Sequence, residues 1–159
     1  MVSRVSTVAF EGIDARAVDV QVQVAPGLPA FNLFLKDKKG ALFLVTAPED
    51  ATIELKSLHR LLGGTGRFSF GPAELMQELL GVEPGAVTPF GVVNDVPARV
   101  TAVLDQALMA HGTINCHPLV NTMTTSIKRD DLVTFLKATG HPPVILPVSG
   151  SVSDPEPPP

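Results

Sequence analysis

The stretch Gly85-Ala-Val-Thr88-Pro89-Phe-Gly91-Val-Val-Asn94-Asp95 holds the residue types best suited to grip a small polar group. Glycine reaches backbone angles that other residues avoid, while proline fixes its own φ and donates no hydrogen bond. Together they can hold a loop with its amide groups turned outward, where a carbonyl or phosphate oxygen would be bound. Gly-x-x-x-Pro is equally the mark of a turn feeding a buried strand, and the apolar run 90–93 reads as that strand.

Other candidates for chemistry are weaker. His111-Gly-Thr-Ile-Asn-Cys116-His117 gathers metal-ligating types, but Cys116 and His117 are adjacent and on a strand would point to opposite faces. His59 and His141 stand without companions in the sequence, so no zinc site is expected. A Ser-His-Asp triad needs no close spacing, yet the Gly-x-Ser-x-Gly elbow that would announce one is missing. Asp130-Asp131 reads as a helix start, where carboxylates meet the positive end of the dipole, rather than as an acid/base pair. Thr124-Thr125 read as strand residues, although a hydroxyl beside a cleft could position a ligand. For His117 taken alone a structural role is the default.

The elements that must position these residues come from a chain of 159 residues, 45% hydrophobic and 18% charged, which suits one domain with a sizeable core. The net charge of −4 gives no global cationic field, so any nucleic-acid contact must be local. With no Trp or Tyr and eight Phe, platforms for stacking bases are scarce. One cysteine, Cys116, excludes an internal disulfide and is compatible with the cytosol. No apolar run reaches the roughly 20 residues that span a bilayer. Arg4, Glu11 and Asp14 interrupt the segment where a secretory signal would need an apolar centre, so a cytoplasmic protein without membrane contact is expected.

Residues 1–30 alternate apolar and polar positions twice, at Val5, Thr7 and Ala9 and again at Val18, Val20, Val22 and Val24, which predicts a β-hairpin. A second hairpin is expected over 32–36 and 41–46, turning at Gly40. Helices are expected over 54–62, stopped by Gly63-Gly64, and over 73–80, opened by Gly71-Pro72 and stopped by Gly81. Further strands are read at 100–104, 114–118, 122–127 and 144–146, with a short helix over 105–110 and a last helix from Asp130 to Gly140. Residues 149–159, ending in Pro-Glu-Pro-Pro-Pro, have nothing to bury and read as a disordered tail. Strands and helices do not alternate regularly, so the fold class expected is α+β.

Two resemblances add to this. Val2-Ser-Arg-Val through Val18-Asp-Val-Gln-Val-Gln-Val-Ala-Pro-Gly-Leu-Pro29 resembles the opening of the magnesium-chelatase-like competence ATPases. No Gly-x-x-x-x-Gly-Lys-Ser/Thr loop follows, so ATPase activity is not expected. Further on, Asn32-Leu-Phe-Leu-Lys-Asp-Lys-Lys-Gly40 precedes Phe68-Ser-Phe-Gly-Pro-Ala-Glu-Leu75 and Leu80-Gly-Val-Glu-Pro-Gly-Ala-Val-Thr-Pro-Phe-Gly91. Then come Asn94-Asp95, Leu104-Asp105, His117-Pro-Leu-Val-Asn121, Thr124-Thr125 and Gly140-His141. Over residues 32–146 this order resembles the YbaK/ProX-type aminoacyl-tRNA trans-editing family, in particular its free-standing prolyl-tRNA deacylases.

That resemblance implies an α+β fold around a mixed, curved sheet with flanking helices. The domains would be a 1–30 hairpin segment, a 31–148 editing domain and the 149–159 tail. It implies hydrolysis of alanine mischarged onto proline tRNA, with no metal or cofactor. The partners would be the tRNA(Pro) acceptor end carrying alanine and, as a second candidate, prolyl-tRNA synthetase. Gly85, Pro89 and His117 would be catalytic; Phe31, Asn32, Thr88, Gly91 and Thr124 would bind substrate; Val92 and Leu119 are candidate walls of a small cavity between turn and imidazole. Such a site would need only to align water or a ribose hydroxyl on an activated ester and to stabilise the oxyanion. It would reject proline by size. Family members carry a lysine immediately before the asparagine, where it meets the terminal nucleotide. Here Phe31 stands in that place and cannot make a charge-assisted contact. Lys36, about 13 Å along the same strand face, is too far to substitute. A weakened deacylase is therefore the expectation, and a noncatalytic tRNA- or synthetase-binding module the alternative.

Overall fold

The computed structural model describes residues 2–11, 14–23 and 27–149, the first two ranges as backbone pairing alone. β1 (Val2–Glu11) and β2 (Asp14–Gln23) pair antiparallel from Val2↔Gln23 to Glu11↔Asp14, as a two-stranded sheet of their own. The expected tail lies outside the described residues from 150 onward.

The remaining strands are β3 (Leu28–Lys36), β4 (Leu42–Pro48), β5 (Ser69–Phe70), β6 (Val100–Asp105), β7 (Thr113–Cys116), β8 (Thr125–Lys128) and β9 (Val144–Leu146). They form a seven-stranded mixed sheet in the order β8-β7-β3-β4-β6-β9, with β5 added to β3. β3–β4 and β7–β8 are antiparallel, whereas β4–β6, β6–β9 and β3–β7 are parallel. Central β4 is buried throughout, which explains why its sequence is a near-continuous apolar run rather than an alternation. Its residues divide between two cores. Leu42 and Leu44 join Phe34, Leu80, Val92, Ile114, Leu132 and Leu136 on one face. Phe43 and Val45 join Leu35, Leu58 and Val103 on the other. The α+β expectation holds.

Helices cover both faces. α1 (Leu55–Leu62) and α2 (Ala73–Leu80) each end on a left-handed glycine, Gly63 at φ 70° and Gly81 at φ 65°. α3 (Arg129–Ala138) carries Asp130 and Asp131 in its first turn, as read from the sequence.

Several local readings are corrected. The run 90–93 is not a strand but part of a 3₁₀-helix, Pro89–Asn94. Pro89 occupies its first turn, the Thr88 hydroxyl accepts from the Phe90 N–H, and the Gly91 N–H donates to Thr88 O at 3.1 Å. The helix expected over 105–110 is likewise 3₁₀, Gln106–Ala110, with Asp105 as its cap. β7 ends at Cys116 and β8 begins at Thr125, so His117, Pro118 and Thr124 lie in the loop between them. Pro118 offers no N–H for a ladder and Leu119 sits at φ 67°, so the strand cannot continue.

The β3–β4 turn is organised by one carboxylate. Asp37 Oδ1 accepts from the N–H groups of Lys39 (2.9 Å) and Ala41 (2.8 Å), and Oδ2 accepts from Thr65 N–H (2.9 Å). The Thr65 bond is the largest influence on its acidity; burial opposes it, the other turn amides reinforce it, and the pKa is lowered. A lowered carboxylate stabilises the fold above its unfolded pKa, and that stability is lost as pH falls through the folded value. Asp37→Asn is expected to flatten the acid limb of stability. Urea midpoints between about pH 6 and about pH 2 would check this, and a slope equal to that of the parent chain would refute it.

Candidate functional site

β3 is the strand around which the site is built. One of its sides pairs with β4 from Ala30↔Pro48 to Lys36↔Leu42. The other side pairs only at its ends: Leu28 and Pro29 with β7, Leu35 and Lys36 with β5. Phe34 O is used by the Gly71 N–H at 2.8 Å. Residues 30–33 therefore border a gap in the sheet, with Asn32 at its middle. After Pro29↔Asn115 the parallel partners β3 and β7 separate, one running to Asn32 and the other to His117. A crevice opening where parallel strands part is a common place for a ligand.

By the period-2 alternation, Asn32 faces the same side as Ala30 and Phe34. That side also carries Ala86, Val92 and Ile114, with Phe90 and Leu119 packed against it. Asn32 Oδ1 accepts from the Thr46 hydroxyl at 2.6 Å, which leaves its Nδ2 donors without an acceptor among the described residues.

The central turn approaches from α2. Ala86 N–H closes a turn onto Glu83 O at 3.0 Å, with Gly85 at φ 92°, a value that selects glycine. The N–H groups of Gly85, Val87 and Thr88 have no protein acceptor among the described residues. The turn is fixed from below. Asn94 Nδ2 donates to Leu80 O at 2.9 Å, and a Cβ placed on Gly91 would lie 3.0 Å from Leu80 Cβ.

His117, half-buried, meets the Met123 carbonyl with Nδ1 at 2.8 Å. A carbonyl only accepts, so Nδ1 carries the proton and Nε2 of the neutral ring is left as an acceptor. The same loop reaches the central turn: a Cβ on Gly85 would sit 3.6 Å from Asn121 Nδ2.

The structure thus places Asn32 on one sheet face with the turn carrying Gly85, and brings that turn against the His117–Thr124 loop. It does not group all the candidates. Phe31 faces the opposite side, half-buried against the core that holds Leu35, Val45 and Leu58. Thr88, Pro89 and Gly91 are buried, and Thr124 is exposed. Two surface hollows among the described residues lie elsewhere: about 440 Å³ beside Lys56, Arg60 and Arg67, and about 310 Å³ beside Leu28, Pro29, Glu49 and Asp50. Neither is lined by Gly85, Pro89 or His117.

Sequence reasoning missed the partner of His141. Its Nε2 lies 2.8 Å from Asp95 Oδ2, with both side chains fully buried. The signal was present in Asn94-Asp95 and Gly140-His141, but a separation of 46 residues hid the contact. Cys116 is buried, and burial pushes its thiol up to about 12, which makes it inert as a nucleophile. Among the described residues no group of three or more His, Cys, Asp or Glu could hold a metal, and no helix is long and apolar enough to cross a membrane.

A mixed seven-stranded sheet with helices on both faces and a gap beside the middle of β3 defines an α+β domain. Residues 13–135 match the family model of the aminoacyl-tRNA editing domain, and the chain belongs to that family, in its YbaK/ProX branch. It is 43% identical over 122 residues to the zebrafish (Danio rerio) prolyl-tRNA synthetase associated domain-containing protein 1, covering 76% of this chain and 66% of that protein. It is 38% identical over 133 residues to the prolyl-tRNA editing protein ProX of Acetoanaerobium sticklandii, covering 83% and 76%. Among solved structures it is similar in fold to one described as a candidate trans-editing enzyme for prolyl tRNA synthetase. There the TM-score is 0.58 at 21% identity, over 74% of this chain and 68% of that one.

Proposed function

We propose that this protein hydrolyses the ester of a mischarged aminoacyl-tRNA in trans, with alanine on proline tRNA as its substrate, in the cytoplasm. The observation that carries the reading is the set of unclaimed polar groups around the crevice: Asn32 Nδ2, the amides of Gly85, Val87 and Thr88, and the His117 Nε2 lone pair. Amide donors in fixed positions stabilise a developing oxyanion without reorganisation. Asn32 Nδ2 would hold the terminal ribose, and the His117 Nε2 would orient the attacking water or ribose hydroxyl. Gly85 and Pro89 act through the backbone they shape. Thr88 and Gly91 keep that backbone in place, and Thr124 would meet substrate only from the exposed loop before β8.

The deciding assay compares alanine-charged with proline-charged proline tRNA. Faster deacylation of the alanine ester is expected, and equal background rates for both esters would remove the reading. A second reading, a noncatalytic module binding tRNA or prolyl-tRNA synthetase, is favoured by Phe31, which stands where the family lysine would be and packs against the core on the opposite face of β3 from Asn32, so that position offers the substrate no cation. Phe31→Lys tests that position. A rise in alanine-ester hydrolysis supports an enzyme short of one contact, whereas unchanged background activity shows that the missing lysine is not the sole defect.

A further inference from the structure

The hollow of about 440 Å³ beside α1 is left unused by the editing chemistry. Its volume falls within the roughly 300–1,000 Å³ of small-molecule sites. Lys56 and Arg60 lie one turn apart on α1, and Arg67 faces them from beyond the glycine-rich turn 63–66. That turn is held to the sheet, since Thr65 N–H donates to Asp37 Oδ2 and Thr65 O accepts from Lys38 N–H at 3.1 Å. Among the described residues, Lys56, Arg60 and Arg67 form no ion pair. The hollow's carboxylate, Glu54, accepts from the Ser57 hydroxyl at 3.0 Å. His59, which lines the same hollow, has a buried Nδ1 without a partner among the described residues.

Three like charges, without an ion pair among the described residues, gather around a hollow that contains one carboxylate, on a chain of net charge −4. A multivalent anion relieves their mutual repulsion and satisfies the donors at once. We propose that this hollow binds a phosphate group, with Arg60 and Arg67 offering planar forks and Lys56 a point charge. The phosphate belongs either to a free phosphorylated small molecule or to the backbone of a bound RNA; the second source rests on the editing reading, the first does not.

The test has two arms, both on the full chain. In the first, amide NMR spectra are followed during titration with inorganic phosphate, against chloride at equal ionic strength. Saturable shifts are expected at residues 56–60 and 67, and are expected to vanish in the Arg60→Ala/Arg67→Ala variant, whose altered side chains are exposed. In the second, an uncharged acceptor-stem RNA hairpin is titrated by fluorescence anisotropy. For an RNA source the variant binds about tenfold more weakly, with a log–log salt slope shallower by about 1.5. Phosphate shifts with unchanged RNA affinity assign the site to a free small molecule; weakened RNA binding assigns it to the backbone. No saturable shift together with unchanged RNA affinity overturns the proposal. Neither arm reads hydrolysis, so failure of the deacylation assay and failure of this site are distinguishable.

Discussion

Replacing Asp95 with alanine is expected to destabilise the fold by about 3–5 kcal/mol, the cost of breaking a buried pair by removing one partner. Asp95 Oδ2 meets His141 Nε2 and the Val100 N–H, each at 2.8 Å, and Oδ1 accepts from the Arg99 N–H at 3.1 Å. Alanine would strand all three donors, two of them in a region with no access to water. The pair joins the turn that follows the Pro89–Asn94 helix to the end of α3, where His141 N–H also donates to Leu136 O at 2.8 Å. Its loss should therefore loosen the support of the central turn as well as lower the melting temperature, by about 10 °C or more for a domain of this size. A double replacement by leucine at 95 and 141 should cost less than the two single changes summed, because no charge or donor of the pair is left unpaired. Chemical denaturation of the single and double variants checks both statements. A loss under about 1 kcal/mol for Asp95→Ala would show that water or another donor already serves these groups.

What was legible in the sequence follows from which signals are local. α1 and α2 were read within a residue or two because apolar spacing and a stopping glycine both lie inside the segment, and Gly63 and Gly81 do adopt the left-handed angle. The β3–β4 hairpin was readable from two apolar runs around Gly40, at φ 88°. The run 90–93 misled because a short apolar segment has no period of its own. What decided it was a proline at the first helical position and a threonine cap, both outside the run, together with Gly91 within it, pressed on Leu80. The loop holding His117 was mistaken for strand for a related reason, since Pro118 was read as an end rather than as a departure. The gap in the sheet beside Asn32 was invisible. It depends on β5 and β7 pairing with opposite ends of β3, which no local pattern encodes. The side to which Phe31 points was readable from alternation with Asn32, and it separates the two residues that the family motif sets together.

Replacing His117 with asparagine is expected to lower the rate of alanine-ester deacylation about 100-fold, at the lower end of what a positioned acid–base group contributes. The choice of asparagine isolates one nitrogen. Its amide NH₂ sits near the position of imidazole Nδ1 and can still donate to the Met123 carbonyl, the 2.8 Å bond that shapes the loop. It offers nothing at the position of Nε2. Glutamine does the reverse, reaching the Nε2 position while giving up the bond to Met123. If His117 serves the loop alone, asparagine should retain activity and glutamine should lose it. If Nε2 orients the nucleophile, asparagine should lose kcat with little change in KM, and glutamine should recover part of it. Alanine, lacking both nitrogens, should fall at least as far as asparagine and also release the loop that reaches Gly85 through Asn121. Single-turnover rates on alanine-charged proline tRNA, with thermal melts of each variant, separate the cases. Full activity in the asparagine variant would remove His117 from the chemistry and leave the backbone amides of the central turn, with Asn32, to carry it.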